Sequence, residues 1–201
     1  MRFTAGLVLS LILVSGAAAA PVAVDFDSEF GAYHLLGEIV SGECEGMVPG
    51  LGIKSAVYTD GESYLYLYQL QNNAGSGVKR VTFAPFSDVS LDTLVGYLQT
   101  HDLADFQEDG LAPVLAETGD HERVSPFAGF SFRSYGQGSA LLPNEHSAVL
   151  FVKSDRRPTM IDANVLFNDG NATGEVYGAV PEPMTILFLA SGALMLRRRS
   201  N

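Results

Sequence analysis

From residue 63 to 71 the chain alternates strictly, reading Ser63-Tyr64-Leu65-Tyr66-Leu67-Tyr68-Gln69-Leu70-Gln71. Tyr64, Tyr66, Tyr68 and Leu70 share one face, and Leu65, Leu67, Gln69 and Gln71 the other. Aromatic residues at period two predict a strand, and apolar positions on both faces predict a strand in the middle of a sheet. The cluster Asn72-Asn73-Ala74-Gly75-Ser76-Gly77 predicts a turn, and residues 78–86, with Val81 and Phe83 on one face, predict the returning strand of a hairpin. Further strands are predicted at 33–40, 53–59, 127–135, 147–152 and 159–165, with turns at Asp60-Gly61, Leu142-Pro143-Asn144 and Asp169-Gly170. Leu91, Leu94, Val95 and Leu98 stand at helical spacing behind Ser90 as N-cap, which predicts a short helix or an irregular crossover. Residues 101–110 read as an acidic loop. Roughly seven short strands with regular turns predict a mainly β domain, an antiparallel β-sandwich that is Ig-like or, as the alternative, jelly-roll-like.

The two ends obey a different logic. Arg2, an apolar run from Leu7 to Val14 and the small residues Gly16-Ala17-Ala18-Ala19-Ala20 are the parts of a secretory signal peptide. The run is far shorter than the roughly 20 apolar residues of a membrane span. Pro21 obstructs a peptidase acting after Ala20, so cleavage is expected after Ala19, with 1–19 as the leader and 20–179 as the ectodomain. At the other end Pro181-Glu182-Pro183 is a stiff extended break, 184–196 carries no charge, and Arg197, Arg198 and Arg199 form a cationic stop. Thirteen helical residues span roughly 20 Å against a hydrocarbon core of about 30 Å, so this transmembrane helix is a brief anchor whose arginines reach the headgroups. Basic flanks stay cytoplasmic, so Arg2 and the arginine cluster both place the body outside.

The tail 180–201 resembles the PEP-CTERM sorting domain of exported Gram-negative proteins, an element also labelled an ice-binding protein C-terminal domain. The resemblance is carried by Pro181, Glu182, Pro183, the apolar stretch and Arg197, Arg198 and Arg199. It implies recognition and processing by an exosortase-type membrane enzyme, transient anchoring, and release to the cell surface or extracellular matrix, usually where exopolysaccharide is made. The tyrosine-rich stretch with its Asn-Asn turn, and the stretch from Phe130-Ser131-Phe132 through Pro143-Asn144-Glu145-His146-Ser147-Ala148-Val149-Leu150, are similar to segments common in ectodomains bearing this tail. That second resemblance implies no catalytic or binding residues.

Charge narrows the partners. Removing Arg2, Arg197, Arg198, Arg199 and Glu182 from 12 basic and 23 acidic residues leaves 8 and 22, a body of −14. Phosphate recognition relies on lysine and arginine, so nucleic acid is not an expected partner. Cys44 is the sole cysteine, which rules out an intrachain disulfide and leaves stability to the apolar core.

Three constellations have the residue types of chemistry. Gly42-Glu43-Cys44-Glu45-Gly46 matches the spacing of a hydrolase elbow with a cysteine nucleophile, but Pro49 and Gly50 stand where that elbow needs a helix. Glu43 and Glu45 are also expected to disfavour the thiolate. His34, His101, His121 and His146 include no pair at metal-ligand spacing and read as scattered surface residues. Asp102, Asp105, Glu108 and Asp109 in one loop, and Asp169, Asn171 and Glu175 in another, offer oxygens to calcium without the Asp-x-Asp-x-Asp-Gly order. The expectation is therefore a non-enzymatic protein with no cofactor, calcium being the one ion worth a test, in a structural, adhesive or exopolysaccharide-associated role. The alternatives are a carbohydrate- or ice-binding module, which turns on whether the tyrosine row faces solvent, and a Cys44-dependent hydrolase.

Overall fold

The computed structural model describes residues 17–86, 94–121, 124–134 and 136–179. The expected leader up to residue 16 and the whole sorting tail lie outside the described residues. In chain order the first elements are β1 (Ala17–Ala19), β2 (Val22–Asp25), α1 (Phe26–Phe30), β3 (His34–Leu35), β4 (Val40–Glu43) and β5 (Glu45–Gly46). The long strands β6 (Leu51–Thr59), β7 (Tyr64–Asn72), β8 (Val78–Ala84) and β9 (Leu94–Thr100) are next. Then come β10 (Leu115–His121), β11 (Val124–Ser131), β12 (Arg133–Ser134), β13 (Gln137–Gly138) and β14 (Glu145–His146). The last are β15 (Leu150–Ser154), β16 (Pro158–Phe167) and β17 (Asn171–Ala179).

Apart from β12 and β13, which pair only with each other, these strands form two large sheets. Sheet I runs in the order β1-β10-β11-β8-β16-β17-β5, and sheet II in the order β2-β9-β15-β7-β6-β3, with β14 also on β7 and β4 also on β6. Every pairing within them is antiparallel except that of β2 with β9. The mainly β class is as the alternation predicts. Ile53, Val57, Tyr66, Tyr68, Leu70, Leu150 and Val152 from sheet II join Val81, Phe83, Phe130, Ile161, Val165, Phe167 and Val176 from sheet I in one buried cluster.

The central position expected for 63–71 is found: β7 lies between β6 and β15. Its two faces bury against different things. Tyr66, Tyr68 and Leu70 enter the cluster shared by the sheets, whereas Leu65 and Leu67 join a second cluster with Phe26, Phe30, Leu98, Phe106, Val149 and Phe151. The helix α1 supplies two of those rings. Asp25 caps it by accepting from the Ser28 N–H at 2.9 Å, and Phe26 and Phe30, four residues apart, fall on one face. Phe30 meets the Phe151 ring edge-on at 5.3 Å, and Phe26 meets Tyr58 at 5.5 Å.

Four expectations change. The segment 78–86 is not the hairpin partner of β7: β8 belongs to sheet I, between β11 and β16. The physical reason is occupancy, since β6 and β15 already take both edges of β7. The turn cluster instead carries the chain from one sheet to the other, held by Asn72, whose amide donates to the Ser76 and Leu141 carbonyls at 2.9 and 2.8 Å. The stretch of helical spacing around Leu94 and Leu98 is the strand β9, paired with β15, while Ser90 and Leu91 lie outside the described residues. The expected strand 33–40 contracts to His34–Leu35, and β10 and β17 form where no strand was predicted. The turns at Asp60-Gly61 and Asp169-Gly170 are real. Asp60 accepts from the Ser63 and Glu62 N–H groups at 2.7 and 2.9 Å, which lowers its carboxyl to about 2. Among the described residues no helix is long and apolar enough to cross a membrane, and the expected anchor 184–196 falls outside them.

Truncating Phe30 tests the second cluster. Phe30→Ala is expected to destabilise the protein by about 3–5 kcal/mol in urea unfolding, the range for a buried aromatic. A loss below about 1 kcal/mol means that α1 does not hold the outer face of sheet II.

Candidate functional site

The Gly42–Gly46 pentapeptide sits where the chain changes sheets. Residues 40–43 pair with β6 in sheet II, and Glu45 and Gly46 pair with Thr173 and Ala172 of β17 in sheet I. Cys44 stands between them, 4% exposed, and its N–H donates to the Leu51 carbonyl at 2.8 Å. The opposing residue is Gly174, where a Cβ would lie 2.7 Å from the Cys44 sulfur. Burial pushes the thiol up to about 11, so desolvation rather than the adjacent glutamates holds it protonated. The next long element is the strand β6, reached through Gly50 at φ 92°, so the nucleophile-elbow geometry of strand, exposed nucleophile and helix is not formed.

Beside this crossover, a cleft of about 460 Å³ is lined by Glu43, Glu45, Asp162, Thr173 and Glu175 among others. Asp162 and Glu175 are directly opposite in the β16–β17 register and both are exposed. Like charges in that relation repel. Among the described residues no three His, Cys, Asp or Glu side chains gather in an arrangement able to hold a metal ion.

Of the tyrosine row, Tyr66 and Tyr68 are buried and Tyr64 is half-buried against the same cluster. Tyr66 and Tyr68 are fully covered, their hydroxyls donating to the Arg156 and Tyr177 carbonyls at 2.6 and 2.7 Å. Tyr68 stacks on Phe83 at 3.9 Å between centroids. Burial raises both phenols well above their ordinary range. A row of stacking platforms for sugar is therefore not presented here.

The acidic loop is more ordered than its composition suggests. Phe106 is a buried plug, with the Lys54 ammonium 5.7 Å above its ring and bonded to the Asp105 carbonyl. The buried Gln69 clamps the loop from below: its amide nitrogen donates to the Gln107 carbonyl at 2.7 Å, and its oxygen accepts the Gln107 N–H at 2.9 Å. His146 bonds the Glu108 carbonyl through its ring at 2.8 Å. His34 is exposed, but His101 is not the surface residue expected: it is 7% exposed and lines a second cleft of about 300 Å³. A lone histidine between strand and acidic loop gave no pattern to find it by. The side chain of His121, and all of Pro181, Glu182, Pro183, Arg197, Arg198 and Arg199, lie outside the described residues.

No protein-family model, curated protein or solved structure matches this chain.

The crossover can be probed in two ways. In the folded protein at pH 8 the Cys44 thiol is expected to resist iodoacetamide and to alkylate only on unfolding; labelling of the native state at the rate of a free thiol would contradict its burial. Glu175→Gln is expected to stabilise the fold by roughly 0.5 kcal/mol at low ionic strength, with the gain shrinking in molar salt. Urea denaturation at both salt concentrations measures it, and a destabilised variant contradicts the repulsion.

Proposed function

We propose that this chain is an exported, non-catalytic β-sandwich, Ig-like or jelly-roll-like, that a PEP-CTERM tail holds briefly in the membrane before an exosortase-type enzyme processes it. It then serves at the cell surface or in the extracellular matrix in a structural, adhesive or exopolysaccharide-associated role. The observation that carries this reading is the combination at 180–201 of a proline-flanked glutamate, a short uncharged stretch and three arginines. A leader at 1–19 predicts the same orientation. Strand pairing runs to Ala179, opposite Pro158, so the proline triplet begins close to where the last paired strand stops.

The body supports a non-catalytic role in two ways. Its sole thiol is buried and held protonated, which does not favour a Cys44-dependent hydrolase. Its aromatic row is spent on the core rather than offered to a ligand, which does not favour a sugar- or ice-binding face made of those tyrosines. The sandwich is supported by the cluster that residues of both sheets share.

Deleting 180–201 in the native host tests the proposal. The full chain is expected to reach the surface or medium with a mature mass that lacks Arg197, Arg198 and Arg199, and the deletion variant to lose its membrane-held stage. Identical location and identical mature mass for the two proteins would refute it.

A further inference from the structure

We infer that Asn171 is a site of N-linked glycosylation, taking a saccharide from a polyprenyl-diphosphate-linked donor outside the cytoplasm. The inference rests on the proposed export, which brings residue 171 across the membrane, and adds a modification of the body that neither leader nor tail implies. It starts from Asn171-Ala172-Thr173. An asparagine, any residue but proline, then serine or threonine is the acceptor pattern of N-glycosylation, and it occurs once in the chain. The spacing has a physical reason. Residues two apart project to one side of an extended peptide, so a single enzyme surface can hold the threonine hydroxyl while it works on the asparagine. Asp169, two residues earlier, joins that side and gives a cationic transferase a carboxylate handle.

The fold makes room for a sugar there. β17 begins at Asn171, directly after the Asp169-Gly170 turn, and its first residues read exposed, buried, exposed. Ala172 enters the core, while Asn171 and Thr173 stay on the outer face of sheet I and Asp169 is exposed beside them. Among the described residues only the Asn171 backbone is engaged, in its pairing with Leu166 and through a carbonyl that accepts the Met47 N–H at 3.0 Å. Its carboxamide therefore takes a substituent without losing a contact. The Thr173 hydroxyl reaches only the Glu45 carbonyl, at 3.5 Å. The neighbours are apolar and uncovered. Leu166, across the ladder, is 49% exposed, and Met47 is 75% exposed beside the turn, where a Cβ on Gly170 would lie 3.2 Å from its own. A saccharide rooted next to them shields both from water.

The transfer is a substitution at the anomeric carbon. Asn171 Nδ2 forms a bond to C1 of the donor's first sugar, and the bond from C1 to the diphosphate oxygen breaks. Its electron pair leaves with the polyprenyl diphosphate, and Nδ2 gives one proton to a base of the transferase. An amide nitrogen shares its lone pair with the carbonyl, so a leaving group this good is needed. In the folded protein β17 is paired on both edges, to β16 and β5. The transferase therefore meets the segment as the chain emerges, before sheet I closes.

The test expresses the full chain in its own host with residues 1–19 exchanged for an unrelated leader, so that residue 171 is exported whatever the native leader does. Mass spectrometry of the peptide containing Asn171 is expected to show an added saccharide, with sugar fragment ions, attached at that residue. Asn171→Gln and Thr173→Val are expected to abolish it, Thr173→Ser to keep it, and Asp169→Asn to lower occupancy several-fold. An exported chain whose Asn171 peptide has its unmodified mass would overturn the inference, as would a saccharide that survives Asn171→Gln. The same spectra read the tail separately. Glycosylated Asn171 on a chain that retains Arg197, Arg198 and Arg199 sinks the sorting proposal and upholds this one, and bare Asn171 on a chain without them does the reverse.

Discussion

Leu65 and Leu67 point away from the core that Tyr66, Tyr68 and Leu70 share with sheet I, and the periphery of this protein is organised around keeping them from water. Leaving either leucine exposed forgoes about 1.5–3 kcal/mol. Sheet I cannot cover them, because it lies on the opposite face. The cover is assembled from segments too short to stand alone: a five-residue helix, and a loop whose plug is Phe106. Helices of that length are not stable in isolation, so α1 exists because Phe26 and Phe30 have a sheet to lie on. The same requirement brings the acidic loop against β7 through Gln69, and so places His101 beside Glu108 and Asp109. The cleft is thus a by-product of how sheet II is roofed.

What the sequence revealed divides along the range of the forces involved. Alternation over 63–71 identified a strand and its central place, because both are written in one strand's own side chains. It did not identify the neighbours. The residues after the Asn-Asn turn have the pattern of a hairpin partner, and only the prior claim of β6 and β15 on β7 sends them to the other sheet. β9 shows the same limit. Leu94, Val95 and Leu98 fit a helical face, but they are split between the two sides of a strand, Val95 packing on the shared core and Leu94 and Leu98 on the outer cluster. A strand buried on both faces loses its period-two signature, and helical spacing then arises by accident. The candidate site was legible in its negative part, since Pro49 and Gly50 argued against an elbow after Cys44. His101 was not legible, because its burial is decided by neighbours far along the chain, Ala148 and Val149 among them.

Cys44 shows how a reactive residue type is made inert by topology. The chain changes sheets across one residue, so that residue must be small, must tolerate close approach to Gly174, and must carry no unmet polar group. A cysteine meets these conditions as a compact apolar side chain. With its single thiol buried and free, the fold holds together without an intrachain cross-link, and the buried phenols make that core specific as well as large. Tyr66 and Tyr68 each deliver a hydroxyl to a backbone carbonyl, so neither leaves a donor stranded in an apolar interior.

Edge protection brings the fold back to the proposed export. Sheet I ends in the two-residue β5 on one side and the three-residue β1 on the other. β1 is Ala17–Ala19, inside the segment expected to be removed, and it pairs with Ala116, Glu117 and Thr118 of β10. On the proposed cleavage after Ala19 the mature sheet therefore ends at β10, and an open edge invites pairing with other chains. Two features of that strand oppose such pairing. Its register breaks between Gly119 and His121, which bends the ladder a partner would have to match. Glu117 is also drawn inward over the sheet, its carboxylate 2.8 Å from the Arg80 guanidinium, which crosses above Gly129 where no side chain stands in the way. A charge fixed beside the edge must be desolvated before a neutral strand can dock there, so the edge that the proposed cleavage would leave is guarded by the body itself rather than by the expected leader.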